Sequence, residues 1–360
     1  MTRVYACDLD RTLLRNDATL SDFSRRSLGE LIENGLRFIV ASARNMAAIR
    51  EILDGLPLRL PVIELNGAAI TDFHTGEHLV IHDLDKDLLP ELHALAARRG
   101  FPPLLATFDG AGDRIYHGKT GNEETEWYLE ARRAAGDGQL REIEDLTQAF
   151  RDHALSMAVA GRGGPLKELA DEVVRDFAGR VEIHLFENPY HPGWWWLSIH
   201  DRRATKGQAL AELLERLGFD LADLTVFGDD SNDVGMFDLA ARAVAVENAL
   251  PCVRELATEV IGPNDADSVA RYILQDVAAE REGRGAAAER EGHGVAAERE
   301  GQDVAAEREG HGVAAEREGR GAAAARGNRR GEATARGEMV STPAASAPAR
   351  KGRGLVHGAA

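Results

Sequence analysis

The sequence predicts an α/β protein: a three-layer core around a parallel sheet, interrupted by an inserted α+β domain and followed by a low-complexity tail. Three observations predict this. Short apolar runs alternate with amphipathic stretches through residue 83 and again over residues 198–276, the order of a parallel sheet with crossover helices. Between them, residues 84–197 mix helical and strand patterns with frequent Gly and Pro interruptions, which marks an insertion. Beyond Asp276 the chain becomes a repeat of about nine residues.

In order, Val4 to Leu9 reads as a buried strand, Asp22 to Asn34 as a helix, Arg37 to Ala41 as a strand, Met46 to Leu53 as a helix and Val62 to Leu65 as a strand. Asn66-Gly67 starts a turn, and the segments around Ile70 and Val80, separated by His74-Thr75-Gly76, read as a hairpin. After the insertion, Ala209 to Leu217 reads as a helix, Leu224 to Phe227 as a strand and Val234 to Ala240 as a helix. Ala243 to Val246 follows as a strand and Ser268 to Leu274 as a closing helix.

The repeats begin at Val277, Ala286, Val295, Val304 and Val313. A calcium-binding β-helix needs Gly-rich aspartate turns, and Asp303 is the only aspartate in these units. A Gly in every unit and the lack of an apolar stripe oppose a continuous helix. The expectation for residues 277–360 is a solvated, disordered tail. It carries 14 basic and 13 acidic residues, so the acidity of the chain belongs to the folded part.

With 360 residues and 44% hydrophobic content, the chain can bury two compact cores. A formal charge of −17 argues against nucleic acid or an anionic membrane as the main partner. A small anionic substrate is compatible with it, because such a molecule feels the field of its pocket. Cys7 and Cys252 are far apart in segments that read as buried, so a disulfide scaffold is not expected and a cytoplasmic location is. No signal peptide is visible, and no apolar run approaches the roughly 18 residues needed to cross a bilayer.

Asp8 and Asp10 close the first strand, where alternation would set both carboxylates on one side of the chain, about 6 to 7 Å apart. Two acids ending a strand can be solvated turn residues. The carboxyl end of a buried strand is also where an open parallel sheet places its active site. A second cluster, Asp229, Asp230 and Asp233, follows the strand Leu224 to Phe227. Two such clusters on neighbouring strands would repel each other unless a cation lay between them. The simplest is Mg²⁺, a hard ion suited to carboxylate oxygens, water and substrate phosphate. Neither His nor Cys recurs at zinc spacing.

Ser42 follows the second strand just before a helix starting near Asn45, as an N-cap, a phosphate-binding hydroxyl or both. Thr205-Lys206-Gly207-Gln208 fits a capping box and makes Lys206 the first helical residue. A cation opposes the helix dipole there, which suggests an anion nearby.

Asp8-Leu9-Asp10-Arg11-Thr12-Leu13, Ser42, Lys206 and Gly228-Asp229-Asp230-Ser231-Asn232-Asp233 resemble the four ordered motifs of the haloacid dehalogenase superfamily of phosphatases. The resemblance covers roughly residues 3 to 275 and implies a Rossmann-like core. About 30 residues separate Asp10 from Ser42 and about 160 separate Ser42 from Lys206. The insertion therefore looks like the α/β cap of the Cof-type, sugar-phosphatase-like branch, which also shows a segment similar to Asn66-Gly67-Ala68. The resemblance implies that Asp8 is the nucleophile, forming an aspartyl-phosphate, and that Asp10 acts as general acid and then general base. It implies Mg²⁺ held by Asp8, the Asp10 backbone carbonyl and Asp229, with Asp233 binding through water or steadying the site. It assigns Ser42, Lys206 and Asn232 to the phosphoryl oxygens, and it adds Arg44 and Asn66 as candidate substrate-binding residues. Two positions depart from the pattern: Arg11 stands where relatives usually have Gly, leaning toward the cap or pointing to solvent, and Ala43 precedes Arg44 where Gly is common.

Trp194-Trp195-Trp196 can stack on a ligand, but strand alternation sends at least one ring into packing. His117, His153, His184 and His191 lack ligand spacing and are expected to be surface or hydrogen-bonded histidines. Cys7 is expected to pack as a small apolar group facing away from Asp8. The resulting expectation is a phosphatase of small phosphorylated metabolites, with sugar phosphates favoured by analogy to the branch. A phosphosugar mutase using the same nucleophile and a catalytically silent phosphometabolite-binding regulator are the alternatives. The oligomeric state is not legible.

Overall fold

A computed structural model of the chain describes residues 3–188 and 191–282. Its central sheet contains β1 (Val4–Cys7), β2 (Arg37–Val40), β12 (Leu224–Gly228), β13 (Arg242–Val246) and β14 (Glu259–Ile261) in the order β14-β13-β12-β1-β2, all parallel. β1 lies second from the β2 end of this row, and all four of its residues are buried. That is why it reads as an unbroken apolar run instead of an alternating one. β3 (Val62–Glu64) extends the sheet beyond β2 through a parallel bridge from Ala41 to Ile63 and a 2.8 Å bond from the Ser42 N–H to the Ile63 carbonyl. It then pairs antiparallel with β4 (Ala69–Thr71), which pairs with β5 (His78–Ile81); Ile70 faces Val80, so the hairpin forms where the turn chemistry set it.

Helices α1 (Asp22–Glu33), α2 (Met46–Ile52), α6 (Lys206–Leu217), α7 (Val234–Phe237) and α8 (Pro251–Leu256) accompany this sheet. Ser21 caps α1 and Asn45 caps α2, each side chain accepting a backbone N–H three residues on. The stripe Leu28, Leu31 and Ile32 buries the inner face of α1.

The insertion builds a separate six-stranded sheet from β6 (Leu104–Phe108), β7 (Asp113–His117), β8 (Leu140–Glu142), β9 (His153–Arg162), β10 (Val181–Glu187) and β11 (Trp194–Asp201). Its order is β10-β11-β9-β6-β7-β8, antiparallel except for the β7–β8 pair. Helices α3 (Leu89–Arg98) and α5 (Gly163–Asp176) cover one face, where Leu92, Leu166 and Val173 pack with Leu105, Leu197 and Ile199. The alternate residues Leu104, Ala160, Phe186 and Trp196 form a second cluster with Leu129 of α4 (Glu123–Ala134).

Several expected boundaries shift. β1 ends at Cys7, because Leu9–Leu13 turns into a tight helical loop. The helix expected over Val234 to Ala240 is a 3₁₀ turn, Ser231–Asp233, followed by a short α-helix ending at Phe237. β11 runs on to Asp201, past the expected edge at residue 197. Cys252 is exposed in α8 instead of buried, while Cys7 is buried, and both are free. Residues up to 274 belong to one compact unit. The closing helix begins at residue 268 and reaches 282, so residues 277–282 are helical where a tail was expected. The remainder of the expected disordered tail lies outside the described residues. Among the described residues, no helix is long and apolar enough to cross a membrane.

Candidate active site

β1 delivers Asp8 to the rim of the sheet, its N–H donating to the Phe227 carbonyl at 3.0 Å as the last rung shared with β12. The chain then leaves extended geometry at once. Leu14 N–H closes back on the Leu9 carbonyl at 2.8 Å, and Arg11 adopts a left-handed φ of 58°. Strand alternation therefore does not govern Asp8 and Asp10, and their carboxylates take different partners. Lys206 Nζ donates to Asp8 Oδ1 at 2.5 Å. Arg44 forks onto Asp10, with Nη2 2.6 Å from Oδ1 and Nε 2.8 Å from Oδ2.

Lys206 is the first residue of α6, behind a Thr205 hydroxyl that accepts the Gln208 N–H at 3.1 Å, so Thr205 caps the helix as expected. The Thr205 N–H donates to the Arg203 carbonyl at 2.9 Å, and the reciprocal half of the expected capping box is not formed. The Lys206 ammonium, 1% exposed, also donates to Asp233 Oδ1 at 2.7 Å. The second Asp233 oxygen accepts the N–H groups of Asp229 and Asp230 at 2.9 and 3.1 Å. Gly228 makes room for this, since a Cβ there would meet the Asp233 carboxylate at 2.6 Å. Asp229 Oδ1 accepts the Thr12 hydroxyl at 3.1 Å. Asp230 caps the 3₁₀ turn through the Ser231 N–H and takes no part in the cluster.

Asp8, Asp229 and Asp233 each offer a carboxylate oxygen within 4.8 Å of the others, all three buried. Three carboxylates against one ammonium leave two negative charges uncompensated, and the titration behaviour follows. Burial, opposed by Lys206 and reinforced by Asp233 and Asp10, pushes the Asp8 carboxyl up to about 7. Burial together with Asp8 and Asp233 also raises Asp229 well above its usual value. Lys206 is held above its ordinary range, because Asp233 and Asp8 overcome the burial that would lower it. All three donors are hard oxygens and the excess charge is that of one divalent ion, so the residues fit Mg²⁺. Asp233 already uses both oxygens on Lys206 and the two amides, which suits it to steadying the loop. The Asp10 side chain, tied to Arg44, lies outside the carboxylate trio, so only its backbone carbonyl is open to the assigned metal role.

Ser42 is not the cap of α2; Asn45 holds that position, and the Ser42 hydroxyl accepts the Arg44 N–H at 3.1 Å. Asn232 Nδ2 donates to Asn66 Oδ1 at 2.9 Å, joining the loop after β12 to the turn after β3. That arrangement leaves Asn66 Nδ2 buried without a partner among the described residues. Gly67 follows at φ 100°, where any Cβ would strike the Thr205 carbonyl at 2.4 Å. Arg11 does not lean toward the inserted domain; its side chain is 46% exposed, as the solvent-facing course expected, but it is also tied back to the core. Its Nη2 donates to the Asn248 carbonyl at 3.3 Å and its Nε lies 3.9 Å from Asp229 Oδ2, so it folds back over the acidic cluster.

Sequence reasoning missed the facing wall. A cavity of about 110 Å³ lies between Ala43–Ala48 and the inserted sheet, and Tyr128, Phe186 and Trp196 are among its lining. The tryptophans alternate as a strand requires: Trp195 packs into the α3–α5 core, Trp196 lines the cavity and Trp194 sits under Arg162 at 4.0 Å. Period-two reading of β11 was the signal available. His117, His153 and His191 are hydrogen-bonded as expected. His184 is not: it is buried with no partner on either ring nitrogen among the described residues, beside His200 at 5.5 Å between ring centroids.

The sequence profile of the haloacid dehalogenase-like hydrolases matches residues 5–273. The chain is 27% identical to pyridoxal phosphate phosphatase YbhA of Escherichia coli, over 76% of this chain and 97% of that protein. It is 24% identical to 5-amino-6-(5-phospho-D-ribitylamino)uracil phosphatase YwtE of Bacillus subtilis, over 76% and 97%. The crystal structure of a haloacid dehalogenase-like hydrolase from Bacteroides thetaiotaomicron superposes with a TM-score of 0.64 at 22% identity, covering 76% of this chain and 99% of that one.

Proposed function

The chain belongs to the haloacid dehalogenase-like hydrolase family and is a phosphatase of small phosphorylated metabolites, and on that premise we propose that Asp8 is its nucleophile and Mg²⁺ its metal. The observation that carries the reading is the buried constellation of Lys206 between Asp8 and Asp233 with Asp229 alongside.

Lys206 engages Asp8 Oδ1 and leaves Oδ2 as the attacking atom. Oδ2 forms a bond to phosphorus while the ester oxygen departs, taking a proton from Asp10. Water, giving a proton back to Asp10, then attacks the aspartyl-phosphate and releases inorganic phosphate, with Asp8 regenerated. Arg44 holds Asp10 by both oxygens, which orients the carboxylate, and one of the two contacts opens when Asp10 carries the proton it delivers. Ser42, Asn66 and Asn232 would hold phosphoryl oxygens; the open Asn66 Nδ2 supports that role. Asp8, Asp229 and the Asp10 carbonyl would hold Mg²⁺, with Asp233 steadying them. A divalent ion there supplies neutralisation between an anionic nucleophile and an anionic phosphate. The two free cysteines support a reducing, cytoplasmic setting.

The relatives named above act on pyridoxal phosphate and on a phosphorylated ribitylaminouracil, and the branch resemblance adds sugar phosphates. The test is phosphate release from a panel of phosphometabolites with Mg²⁺, for wild type and Asp8→Asn. The near-isosteric variant is expected to keep its fold and lose turnover. Undiminished turnover by Asp8→Asn removes the nucleophile. A hexose phosphate isomerised without phosphate release points to a mutase, and binding without turnover by wild type points to a regulator.

A further inference from the structure

The cavity lined on the core side by Arg44, the partner of Asp10, separates two kinds of phosphate ester. Its wall on the inserted sheet is apolar and partly aromatic: Leu104, Ala106, Ile115, Tyr128, Phe186 and Trp196. The Tyr128 and Trp196 rings stand 5.2 Å apart at 59°, forming a corner against which a flat group can lie. Polar groups are few. Ser156 and Ser198 present hydroxyls, while Asn45 is already used in capping α2 and donating to Gln139 at 3.0 Å. A polyol brings a hydroxyl on nearly every carbon, and each one buried without a partner weakens binding by about tenfold.

Charge is also spoken for. Arg44 is forked onto Asp10, and Arg132 is paired with Asp137 and donates to the Tyr128 hydroxyl at 3.2 Å. The next rung of the same face continues the trend. His184 lies opposite Ser198, and His200 stands two residues beyond it on β11. Burial keeps both imidazoles uncharged, pushing His200 down to about 4 and lowering His184 well below its usual value, with the Lys206 charge adding to the effect on His184. Neither offers a positive charge to a second anion. On the lining itself, Arg132 Nε is buried without a partner among the described residues.

Resting on the phosphatase reading, we propose that the group carried by the substrate phosphate is a flat, uncharged ring bearing a hydrogen-bond acceptor, not a polyol or a second phosphate. The ring lies against Tyr128 and Trp196, its acceptor meets Arg132 Nε, and its phosphoester points past Arg44 toward Asp8.

The full chain with Mg²⁺ is assayed on pyridin-3-ylmethyl and pyridin-4-ylmethyl phosphate as uncharged rings with an acceptor, glucose 6-phosphate as a polyol and fructose 1,6-bisphosphate as a double anion. The expected kcat/KM for the rings exceeds that for the other two by about tenfold or more. Trp196→Leu is expected to collapse that ratio mainly through KM, and Trp196→Phe to keep it. Equal or better turnover of glucose 6-phosphate overturns the proposal, as does a ratio unmoved by Trp196→Leu. If the wild type hydrolyses nothing, the phosphatase reading fails, and calorimetric binding of phosphate-free pyridoxine against erythritol then decides the pocket alone: pyridoxine binding upholds the ring site, and its absence sinks it.

Discussion

Replacing Lys206 by Met keeps the length and the apolar stem but removes the only ammonium within the buried carboxylate cluster. In the parent, that ammonium contacts Asp8 and Asp233 at 2.5 and 2.7 Å at 1% exposure, so solvent screens it little. Removing one partner of a buried pair typically costs about 3–5 kcal/mol, because the other charge is left uncompensated. Here two carboxylates are abandoned beside a third, Asp229. Against a usual domain stability of about 5–15 kcal/mol, that is a large fraction. Denaturant unfolding in EDTA is therefore expected to show Lys206→Met weaker by roughly 3–5 kcal/mol. Added Mg²⁺ should recover more stability in the variant than in wild type, since the ion relieves a larger excess of negative charge and binding to the folded state adds to its stability. Turnover should fall by about 10²–10³ as an electrostatic stabiliser of the reacting group is lost. A loss below about 1 kcal/mol in EDTA, the range of an exposed ion pair, would refute the picture of a buried charge cluster.

Arg44→Met should lower kcat by about tenfold or more on an alkyl phosphate, whose leaving group needs the proton of Asp10, and by less on p-nitrophenyl phosphate; equal losses would show that Arg44 acts other than through Asp10. Arg11→Gly withdraws a guanidinium 3.9 Å from Asp229 and relieves a left-handed side chain, so Mg²⁺ should bind more tightly by calorimetry, and weaker binding would instead make Arg11 a supporter of the ion site. Glu64 is buried between Thr71, the Met46 N–H and His78, and burial raises its carboxyl from 4.5 to about 7. Between those values the unfolded chain gives up a proton that the folded chain keeps, so stability falls as pH rises from about 4.5 to 7, by up to about 3 kcal/mol. His78 adds in the same direction: burial alone would lower it, but Asp113 and Glu64 raise it, so its contribution is lost as pH climbs through the folded value. Glu64→Gln should flatten the melting temperature across that window, and an unchanged slope would assign the pH dependence elsewhere.

The core was legible because its signals are local. Buried parallel strands read as apolar runs, Thr205 and Gln208 announce the start of α6, and a lysine at the first helical position fits only if an anion faces it, which Asp8 and Asp233 do. The placement of Asp10 was not legible, because a single left-handed residue, Arg11, ends the period-two geometry on which the expectation rested. Its true partner, Arg44, lies across a strand crossover, and no local pattern encodes that pairing. The inserted sheet was harder still. Leu104 and Leu105 look alike as letters, yet one lines the cavity and its neighbour fills the α3–α5 core. His184 and Ser198 acquire meaning only from the rung they share, with His200 two residues further along β11 opposite Glu182, which is a matter of register between β10 and β11. His184 in particular gives no warning in sequence, because isolation from partners is a property of the packed interior.

Charge is distributed so that chemistry and choice of substrate fall to different parts of the chain. The rim of the parallel sheet is electrostatically open: Asp8, Asp229 and Asp233 outnumber Lys206, and a cation with an anionic substrate completes them. The facing wall is electrostatically closed. Arg132 is bound to Asp137, and Glu124 is surrounded by Asn188, His191 and the Trp196 indole N–H. The closed wall can discriminate by shape and by a small number of hydrogen bonds without disturbing the potential at Asp8. On the proposed reading, altering Trp196 should change which ester is accepted, whereas altering Lys206 should change whether any ester reacts. His78 ties the two parts together, with Nδ1 toward Glu64 of β3 and Nε2 2.8 Å from Asp113 of β7. The same joint is apolar as well: Ala68 and Ala204 form a buried cluster with Leu155 of the inserted sheet, and Phe108 packs against it, so packing and this polar bridge together hold the wall against the rim.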